Sequence, residues 1–263
     1  MMSVLDAFRL DGKVAIVTGG GRGLGRVMAI ALAEAGADLV VMARSLDQVE
    51  KTAEEIRTRG RKCLPLSIDV KKISDLQASV EKTIKTFGRI DILVNNAGVA
   101  LVKPLVPMSG FKEGITREDL LNILETNLMA PFFLTQAVGK YFIQQGGGKV
   151  INITSVTAMR AGAHQTAYAS SKAGLLQFTK ALANEWARYH INVNAIAPGS
   201  FYTEMSKKVY ENEKLLEQMH ARIPMRRSGQ LEEIGPAVVF LASKASDYIT
   251  GAVIYVDGGF MIY

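Results

Sequence analysis

Short apolar runs alternate with amphipathic stretches along the first third of the chain. The apolar runs are rich in Val, Ile and Leu, as is typical of strands buried on both faces of a sheet. They lie at residues 13–18, 38–43, 62–68 and 91–94. Helical periodicity occupies the intervals, ending at Gly36 in the first and covering residues 46–59 and 73–87 in the next two. This alternation predicts an α/β protein built on a parallel sheet.

The alternation of strands and helices stops at residues 99–115, where prolines and glycines interrupt any periodicity. We expect a surface loop there, which is either functional or a tolerated insertion. The later pattern predicts helices at about 117–127, 131–145, 166–188 and 231–243, and strands at 149–155 and 252–256. The polar, helix-prone stretch at 200–228 is interpreted as a mobile lid over the substrate. Because no linker divides the chain, residues 1–263 are predicted to form one domain.

Composition argues against several classes of protein. The 31 Lys and Arg exceed the 25 Asp and Glu, but the surplus of +6 is spread along the chain and no nucleic-acid motif accompanies it. No apolar run approaches the ~20 residues that a membrane span requires. The N-terminus lacks a secretory signal and Cys63 is the single cysteine, so a cytoplasmic location is expected. We expect no nucleic acid, membrane or metal ion as a partner.

A glycine-rich turn joins the first strand to the first helix. From Thr18 the sequence reads Thr-Gly-Gly-Gly-Arg-Gly-Leu-Gly. Glycine lets a backbone approach a pyrophosphate closely, and a helix N-terminus offers free N–H groups and the positive end of its dipole. The spacing differs from the familiar Gly-x-Gly-x-x-Gly, but its strand–turn–helix context predicts a dinucleotide site. The predicted contacts are Gly19, Gly21, Arg22, Gly23, Leu24 and Gly25.

The residues after the second strand indicate which dinucleotide binds. An acidic side chain there would bond the adenosine ribose 2′-OH of NAD, whereas this chain has Ala43 and then Arg44. Arg44 and Arg22 would together suit the 2′-phosphate of NADP, which is therefore favoured over NAD. The alternative is that both arginines are surface charges beside helices. Asp69, after the third strand, either bonds the adenine amino group or caps the next helix.

Residues with useful chemistry follow two later strands. The strand at 91–94 continues into Asn-Asn-Ala-Gly at 95–98, where a parallel sheet places its ligands. Ser155 ends the strand predicted at 149–155 and could hydrogen-bond a substrate oxygen. No Gly-x-Ser-x-Gly elbow surrounds Ser155, so we do not expect a serine nucleophile.

Tyr168 and Lys172 are spaced to share one face of the helix predicted at 166–188. A free phenol has a pKa near ~10 and is a poor acid or base at neutral pH. A neighbouring ammonium favours the phenolate, so we expect the pKa of Tyr168 to be lowered toward the working range. Such a pair suits proton exchange with an alcohol or carbonyl oxygen.

In this order and spacing, the motifs resemble the single-domain branch of the short-chain dehydrogenases/reductases. The resemblance runs from about Leu10 to Gly259. It is carried by the glycine-rich turn, Asp69-Val70, Asn-Asn-Ala-Gly at 95–98, Asn127, Ser155, Tyr168 with Lys172, Asn-Val-Asn-Ala-Ile-Ala-Pro-Gly at 192–199, and Thr203. It implies a Rossmann fold: a doubly wound, seven-stranded parallel sheet between two helical layers.

The resemblance also implies roles that the pattern alone leaves open. It implies a proton relay of Asn127, Ser155, Tyr168 and Lys172, in which Asn127 holds a water behind the lysine and Lys172 bonds the nicotinamide ribose. From the pattern alone, Asn127 would be a surface amide in a helix. The other cofactor contacts that it implies are Asp69, Val70, Asn95, Ala97, Gly98, Tyr168, Pro198, Gly199 and Thr203. Packing of the tyrosine-bearing helix between subunits implies a homotetramer.

Within the family, gluconate 5-dehydrogenases and 3-oxoacyl-acyl-carrier-protein reductases are the nearest resemblances. The second group needs basic residues to dock an acidic carrier, but Gln-Gln-Gly-Gly-Gly at 144–148 offers none before Lys149. A sugar acid or polyol is therefore favoured as the substrate. A dinucleotide-binding regulator without catalysis is a further hypothesis, but it would not need the whole relay. Substrate contacts are expected from Ser155, Tyr168, His164, Ser200 and Tyr202, and His190 and His220 are expected at the surface without partners.

Overall fold

The protein is built on a seven-stranded parallel sheet with strand order β3-β2-β1-β4-β5-β6-β7. The computed structural model describes residues 3–204 and 206–262. The strands are β1 (Val14–Thr18), β2 (Asp38–Ala43), β3 (Cys63–Ser67), β4 (Ile92–Asn95), β5 (Gly148–Ile153), β6 (Ile191–Pro198) and β7 (Val253–Val256). The order reverses between β1 and β4, and ligands bind at such a switch point in doubly wound sheets. The predicted fold class is confirmed.

Helices cover both faces of the sheet. They are α1 (Gly23–Glu34), α2 (Leu46–Thr58), α3 (Ile73–Phe87), α4 (Arg117–Leu124), α5 (Ala130–Gln145), α6 (Thr166–Trp186), α7 (Lys207–Tyr210), α8 (Glu213–Ala221) and α9 (Gly235–Ala242). Side chains of α1, α2 and α9 form one apolar core, and those of α3, α5 and α6 form the other. No described helix has the length and apolar character needed to cross a bilayer.

Several predicted boundaries differ from the structure. The helices expected at 117–127 and 131–145 form one continuous helix, because a π-helical turn at Glu125–Met129 joins α4 to α5. Pro131 therefore lies directly after the π-helical turn, in the first turn of α5, and does not end the continuous helix. The strand expected at 149–155 ends at Ile153, so Ser155 lies beyond it. The helix expected at 231–243 begins as a 3₁₀ turn at Leu231–Ile234.

Residues 99–115 contain no helix or named strand, as expected for a loop. Within this loop, Met108 and Phe111 form an isolated antiparallel bridge. The stretch at 200–228 contains the short helices α7 and α8, and none of the described α8 side chains is fully buried. Trp186 at the end of α6 is packed in the core against Gly139 of α5.

Candidate active site

The glycine-rich turn after β1 is anchored by the residues that follow β4. The side-chain amide of Asn96 donates to the carbonyl oxygens of Thr18, at 2.8 Å, and Gly19, at 3.3 Å. The hydroxyl of Thr18 accepts from the backbone N–H groups of Asn96 and Ala97, both at 3.0 Å. Neither Thr18 nor Asn96 was assigned a contact from the sequence, although both lie within the motifs at two adjacent strand ends. They fix the turn at the switch point.

The turn has no space for side chains, and this fits a bound pyrophosphate. A Cβ on Gly25 would overlap the Gly19 carbonyl, and one on Gly19 would lie 2.7 Å from the Asn96 amide nitrogen. Gly19 and Gly23 have positive φ angles of 65° and 52°, which favour glycine. Gly23, Leu24 and Gly25 form the first turn of α1, whose N-terminus has no side-chain cap. Its free N–H groups can therefore bind an anion.

Of the two arginines predicted to select NADP, Arg22 lies within this turn and Arg44 follows the neighbouring strand β2. A Cβ on Gly21 would lie 2.9 Å from the Cβ of Gln48 and 3.5 Å from that of Ala43, so the turn abuts the segment after β2. Arg22 and Arg44 are both exposed. Within the part of the chain that the structure describes, neither guanidinium has a hydrogen bond or ion pair. Both cations remain available to a phosphate.

Asp69 stabilises a local turn between β3 and α3. Its carboxylate accepts from the backbone N–H of Lys71 at 3.1 Å, and its carbonyl accepts from Lys72 at 3.0 Å. Lys72 is the N-cap of α3, so Asp69 does not cap the helix itself. Val70 beside it is buried. The turn sets Asp69 at the carboxyl end of β3, and an adenine contact stays a prediction.

The side chain of Asn95 points into the protein, away from the turn. Its amide nitrogen donates to the hydroxyl of Thr135 at 3.0 Å and to the carbonyl of Asn152 at 2.9 Å, and Asn95 is 2% exposed. Asn95 therefore links β4 to β5 and α5, and only its backbone could contact a cofactor. Its neighbour Asn96 has the outward-facing amide.

The segment after β6 closes over the glycine-rich turn. Beyond Pro198, the N–H of Gly199 donates to the carbonyl of Val256 at 2.9 Å. A Cβ on Gly23 would lie 3.7 Å from the methyl carbon of Thr203, which is an ordinary contact distance. Pro198, Gly199 and Thr203 thus run along one wall of a crevice whose other wall is the turn.

Tyr168 and Lys172 lie together near the ends of β4 and β5. The Lys172 ammonium donates to the carbonyl of Ile153 at 2.8 Å and lies 6.0 Å from the centroid of the Tyr168 ring. Burial lowers the pKa of Lys172 to about 8. Burial also raises the pKa of Tyr168, while a hydrogen bond with Ser155 acts in the opposite direction. The expectation of a lowered tyrosine pKa is therefore wrong for the protein without its cofactor, because desolvation dominates.

Asn127 is buried inside the π-helical turn. Its amide oxygen accepts from the N–H of Val99 at 2.8 Å, and its nitrogen donates to the carbonyl of Val99 at 2.9 Å and to the hydroxyl of Ser171 at 3.0 Å. The surface amide expected from the pattern alone is wrong, because the π-turn adds a residue and changes which side chains face inward. The family resemblance implies a role for Asn127, whereas helical periodicity does not indicate that its side chain is buried.

Ser155 caps a short 3₁₀ turn at Val156–Ala158. Its hydroxyl oxygen accepts from the N–H of Thr157 at 3.1 Å and from the hydroxyl of Thr157 at 2.9 Å. A serine hydroxyl has one proton to donate and two acceptor positions. Thr157 fills both acceptor positions, so the proton of Ser155 is left for Tyr168 or a substrate oxygen.

The residues at 200–228 form a polar network of their own. The Ser200 hydroxyl lies 3.0 Å from the Tyr210 hydroxyl and 3.1 Å from that of Ser228, and the Ser228 hydroxyl lies 2.9 Å from a ring nitrogen of His220. His220 is therefore only partly exposed and has a partner, contrary to expectation. Tyr202 is 52% exposed, with its ring 5.0 Å from that of Tyr210. Ser200 and Tyr202 belong to this segment, which follows Gly199 at the end of the crevice.

Comparison with known proteins identifies the family. A family model described as enoyl-(acyl carrier protein) reductase matches residues 19–261. The 2-dehydro-3-deoxy-D-gluconate 5-dehydrogenase of Escherichia coli is 40% identical over 259 residues, which cover 98% of this chain and 99% of that protein. The 3-oxoacyl-acyl-carrier-protein reductase of Thermotoga maritima is 37% identical over 254 residues, covering 97% and 100% respectively. A gluconate 5-dehydrogenase from Burkholderia cenocepacia, solved with NADP and tartrate, superposes with a TM-score of 0.92 at 36% identity, covering 99% of this chain and 100% of that one.

A glycine-rich turn at the switch point of a doubly wound sheet, with a half-buried tyrosine and a buried lysine paired beside it, defines a nicotinamide-dependent oxidoreductase. The chain belongs to the short-chain dehydrogenase/reductase family. It is an NAD(P)-dependent oxidoreductase that acts on CH–OH groups. The family and the enzyme class expected from the sequence are confirmed.

Proposed function

We propose that the protein interconverts a sugar acid and its keto form with NADP as the cofactor. The observation that carries this proposal is the convergence of Tyr168, Lys172 and Ser155 beside the crevice that the glycine-rich turn opens. The E. coli relative is named for a sugar acid, and the Burkholderia structure contains NADP and tartrate. These relatives support the substrate class and the cofactor.

Tyr168 is assigned the role of general acid in reduction and general base in oxidation. The bound nicotinamide supplies or accepts the hydride at the substrate carbon. Tyr168 gives its proton to the carbonyl oxygen, and Ser155 donates its free hydroxyl proton to the same oxygen. In the oxidising direction, the phenolate of Tyr168 accepts the alcohol proton.

Lys172 and Asn127 position the groups that surround the Tyr168 phenol. The Lys172 ammonium has three donors, of which the Ile153 carbonyl uses one. We assign the others to the nicotinamide ribose and to a water. Both donors of Asn127 bond Val99 and Ser171, so it could hold that water only through the remaining acceptor of its oxygen. Its main effect is to fix the backbone beside Gly98, whose Cβ position lies 3.5 Å from the Lys172 ammonium.

Reduction of a 3-oxoacyl carrier protein is the second candidate. The Thermotoga relative and the description of the matching family model favour it. However, Lys149, the cation that follows the helix end where a carrier is expected to dock, is already engaged. Its ammonium donates to Asn192 and to Asp247, both at 2.8 Å, and its side chain is 12% exposed. An acidic partner would have little charge to bind there.

A cofactor-consumption assay separates these candidates. We expect NADPH oxidation with a keto-gluconate, slower turnover with an acetoacetyl thioester, and NADP reduction with gluconate. Predominant activity on the thioester would favour the second candidate, and no consumption with any carbonyl would favour a non-catalytic regulator.

Replacing Tyr168 by Phe tests the relay. Because the phenol is the proton donor, we expect Tyr168→Phe to lower kcat by at least about a hundredfold while leaving the Kd of NADPH nearly unchanged. Tyr189→Phe is the matched control, since the Tyr189 hydroxyl bonds Arg188 at the far end of α6. Turnover by Tyr168→Phe similar to that of Tyr189→Phe would contradict the assignment.

We further propose that residues 1–263 act as one domain with a lid at about 200–228, assembled as a homotetramer in the cytoplasm. The continuous sheet supports a single domain. Two separate exposed apolar surfaces support the tetramer, and the single cysteine accords with a reducing compartment.

A further inference from the structure

The loop at 99–115 is tied to the segment that precedes the tyrosine-bearing helix. The N–H of Lys103 donates to the carbonyl of His164 at 2.8 Å, and the ring of Phe111 lies 4.7 Å from the imidazole. The Lys103 ammonium bonds the carboxylates of Asp119 at 2.8 Å and Glu113 at 3.3 Å, so the loop is also fastened to α4. The loop is therefore an ordered strap.

His164 has an unusual backbone. Its φ of +61° lies in the left-handed region, which non-glycine residues rarely adopt and which is enriched at functional sites. It ends no helix, unlike His190, whose φ of +59° closes the 3₁₀ turn at Ala187–Tyr189 that follows α6. The contacts with Lys103 and Phe111 hold His164 in this conformation. Within the described chain, its ring nitrogens have no hydrogen-bond partner.

The strap leads from the catalytic relay to His164. It begins beside Gly98, next to the Lys172 ammonium, and Val99 is bonded to Asn127. Four residues after Val99, Lys103 reaches His164, which itself precedes Tyr168 by four residues. The strap thus ties His164 to the catalytic relay at one end, and His164 leads directly into the first turn of α6, where Tyr168 lies.

We propose that His164 recognises the substrate, with the loop at 99–115 as the strap that presents it. In this proposal, which rests on the proposed function, a ring nitrogen of His164 hydrogen-bonds a hydroxyl or carboxylate oxygen distant from the reacting carbon. The imidazole can donate or accept, so it suits the several oxygens of a sugar acid better than an alkyl chain. His164 would then determine specificity without transferring a proton.

His164→Gly is the decisive variant, because glycine accepts the positive φ and only the imidazole is lost. With the best substrate from the panel, we expect KM to rise about tenfold to hundredfold, while kcat changes less than about threefold and the Kd of NADPH is unchanged. His164→Asn tolerates the same backbone and keeps a donor and an acceptor, so it should recover part of the lost affinity.

His190→Gly is the matched control, because it makes the same replacement at nearly the same φ but at the opposite edge of the sheet. We expect its KM to equal that of the wild type. A KM for His164→Gly that also matches the wild type would overturn the proposal. If the wild type reduces only acyl thioesters, the proposed substrate class fails, yet KM on the thioester still decides the role of His164. Absence of any turnover by the wild type would overturn both.

Discussion

At the scale of single residues, burial has more effect on Tyr168 and Lys172 than their attraction for each other. Desolvation disfavours the charged form of each group, raising the pKa of Tyr168 and lowering that of Lys172 to about 8. A neutral phenol is the form that a carbonyl reduction requires. Oxidation requires the phenolate, which the positive charge of the oxidised nicotinamide would stabilise.

The buried ammonium should destabilise the protein at neutral pH. The pKa of Lys172 falls from 10.5 to about 8, and this difference corresponds to about 3 kcal/mol, of which the bond to Ile153 offsets about 1 kcal/mol. We therefore expect Lys172→Met to raise the free energy of unfolding by about 2 kcal/mol at pH 7. Urea denaturation measures this difference.

The advantage of Lys172→Met should depend on pH. Below pH 8 the lysine is protonated in both states, so the cost of burial is fully present. Between about 8 and 10.5 the folded state has lost this proton while the unfolded state retains it, so stability of the wild type rises relative to the variant. An advantage that stays constant between pH 7 and pH 10 would contradict this account.

Arg44 should determine the preference between the two cofactors. Its exposed guanidinium has no partner among the described residues, so a 2′-phosphate would gain a charge-assisted bond there. We expect Arg44→Ala to weaken NADPH binding about tenfold to hundredfold while changing NADH binding less than about twofold. Arg57→Ala, on the far end of α2, is the control. Equal losses for both cofactors would refute the role of Arg44, and fluorescence titration measures both Kd values.

At the scale of secondary structure, elements with an uninterrupted pattern were predicted correctly. The strand at 38–43 and the helix at 73–87 match β2 and α3, because the first is an uninterrupted apolar run and the second has one helical periodicity that ends at Gly88. The π-turn at Glu125–Met129 could not be predicted this way. One extra residue per turn leaves composition unchanged but alters which side chains face the core.

The sequence also located the site without resolving side-chain directions. Asn95 and Asn96 are adjacent and chemically identical, yet one bonds the core and the other holds the glycine-rich turn. Successive residues of a strand point to opposite sides, so the assignment requires the position at which β4 ends. The Ser200 network likewise depends on how α7 and α8 pack, which local propensity does not specify.

Packing between α5 and α6 makes a prediction at this scale. A Cβ on Gly139 would lie 2.6 Å from the ring of Trp186, which is buried and rigid. Alanine gains about 1 kcal/mol of helix propensity, but overpacking costs about 1 to 3 kcal/mol. We expect Gly139→Ala to lower the free energy of unfolding by about 1 kcal/mol.

Gly174→Ala in α6 is the matched control for that variant. Its Cβ would lie 3.1 Å from the end of the Leu128 side chain, which can move aside. We expect this variant to be at least as stable as the wild type. If Gly139→Ala proved as stable as Gly174→Ala in the same thermal or urea denaturation, the tight packing against Trp186 would be disproved.

At the scale of the whole molecule, contacts between distant parts of the chain assemble the site. Thr203 contacts Gly23 at the crevice, and Lys103 of the strap bonds His164. The parallel sheet makes these contacts possible because it brings the carboxyl ends of all its strands to one edge of the sheet. Each motif could be found in the sequence, whereas the pairing of loops depends on the assembled sheet.

Two exposed apolar surfaces remain outside the site. One lies on α5, where Phe132 is 45% and Ile143 is 44% exposed and the Phe132 ring is 5.0 Å from Phe178 of α6. The other is a region at the edge strand β7, where Tyr248 before the strand and Ile262 after it are largely exposed. Exposed apolar patches mark association surfaces, and two independent two-fold interfaces generate a tetramer.

The α5 surface gives the last prediction. Phe132→Asp places a charge in the proposed interface but leaves the buried face of α5 unchanged, so we expect the assembly to change from tetramer to dimer while the fold persists. Sedimentation velocity measures the mass and circular dichroism checks the fold. Leu46→Asp is the control, because Leu46 is 51% exposed at the start of α2, away from both surfaces. A wild type that sediments as a monomer, or a Phe132→Asp variant that remains tetrameric, would show that this aromatic surface does not hold subunits together.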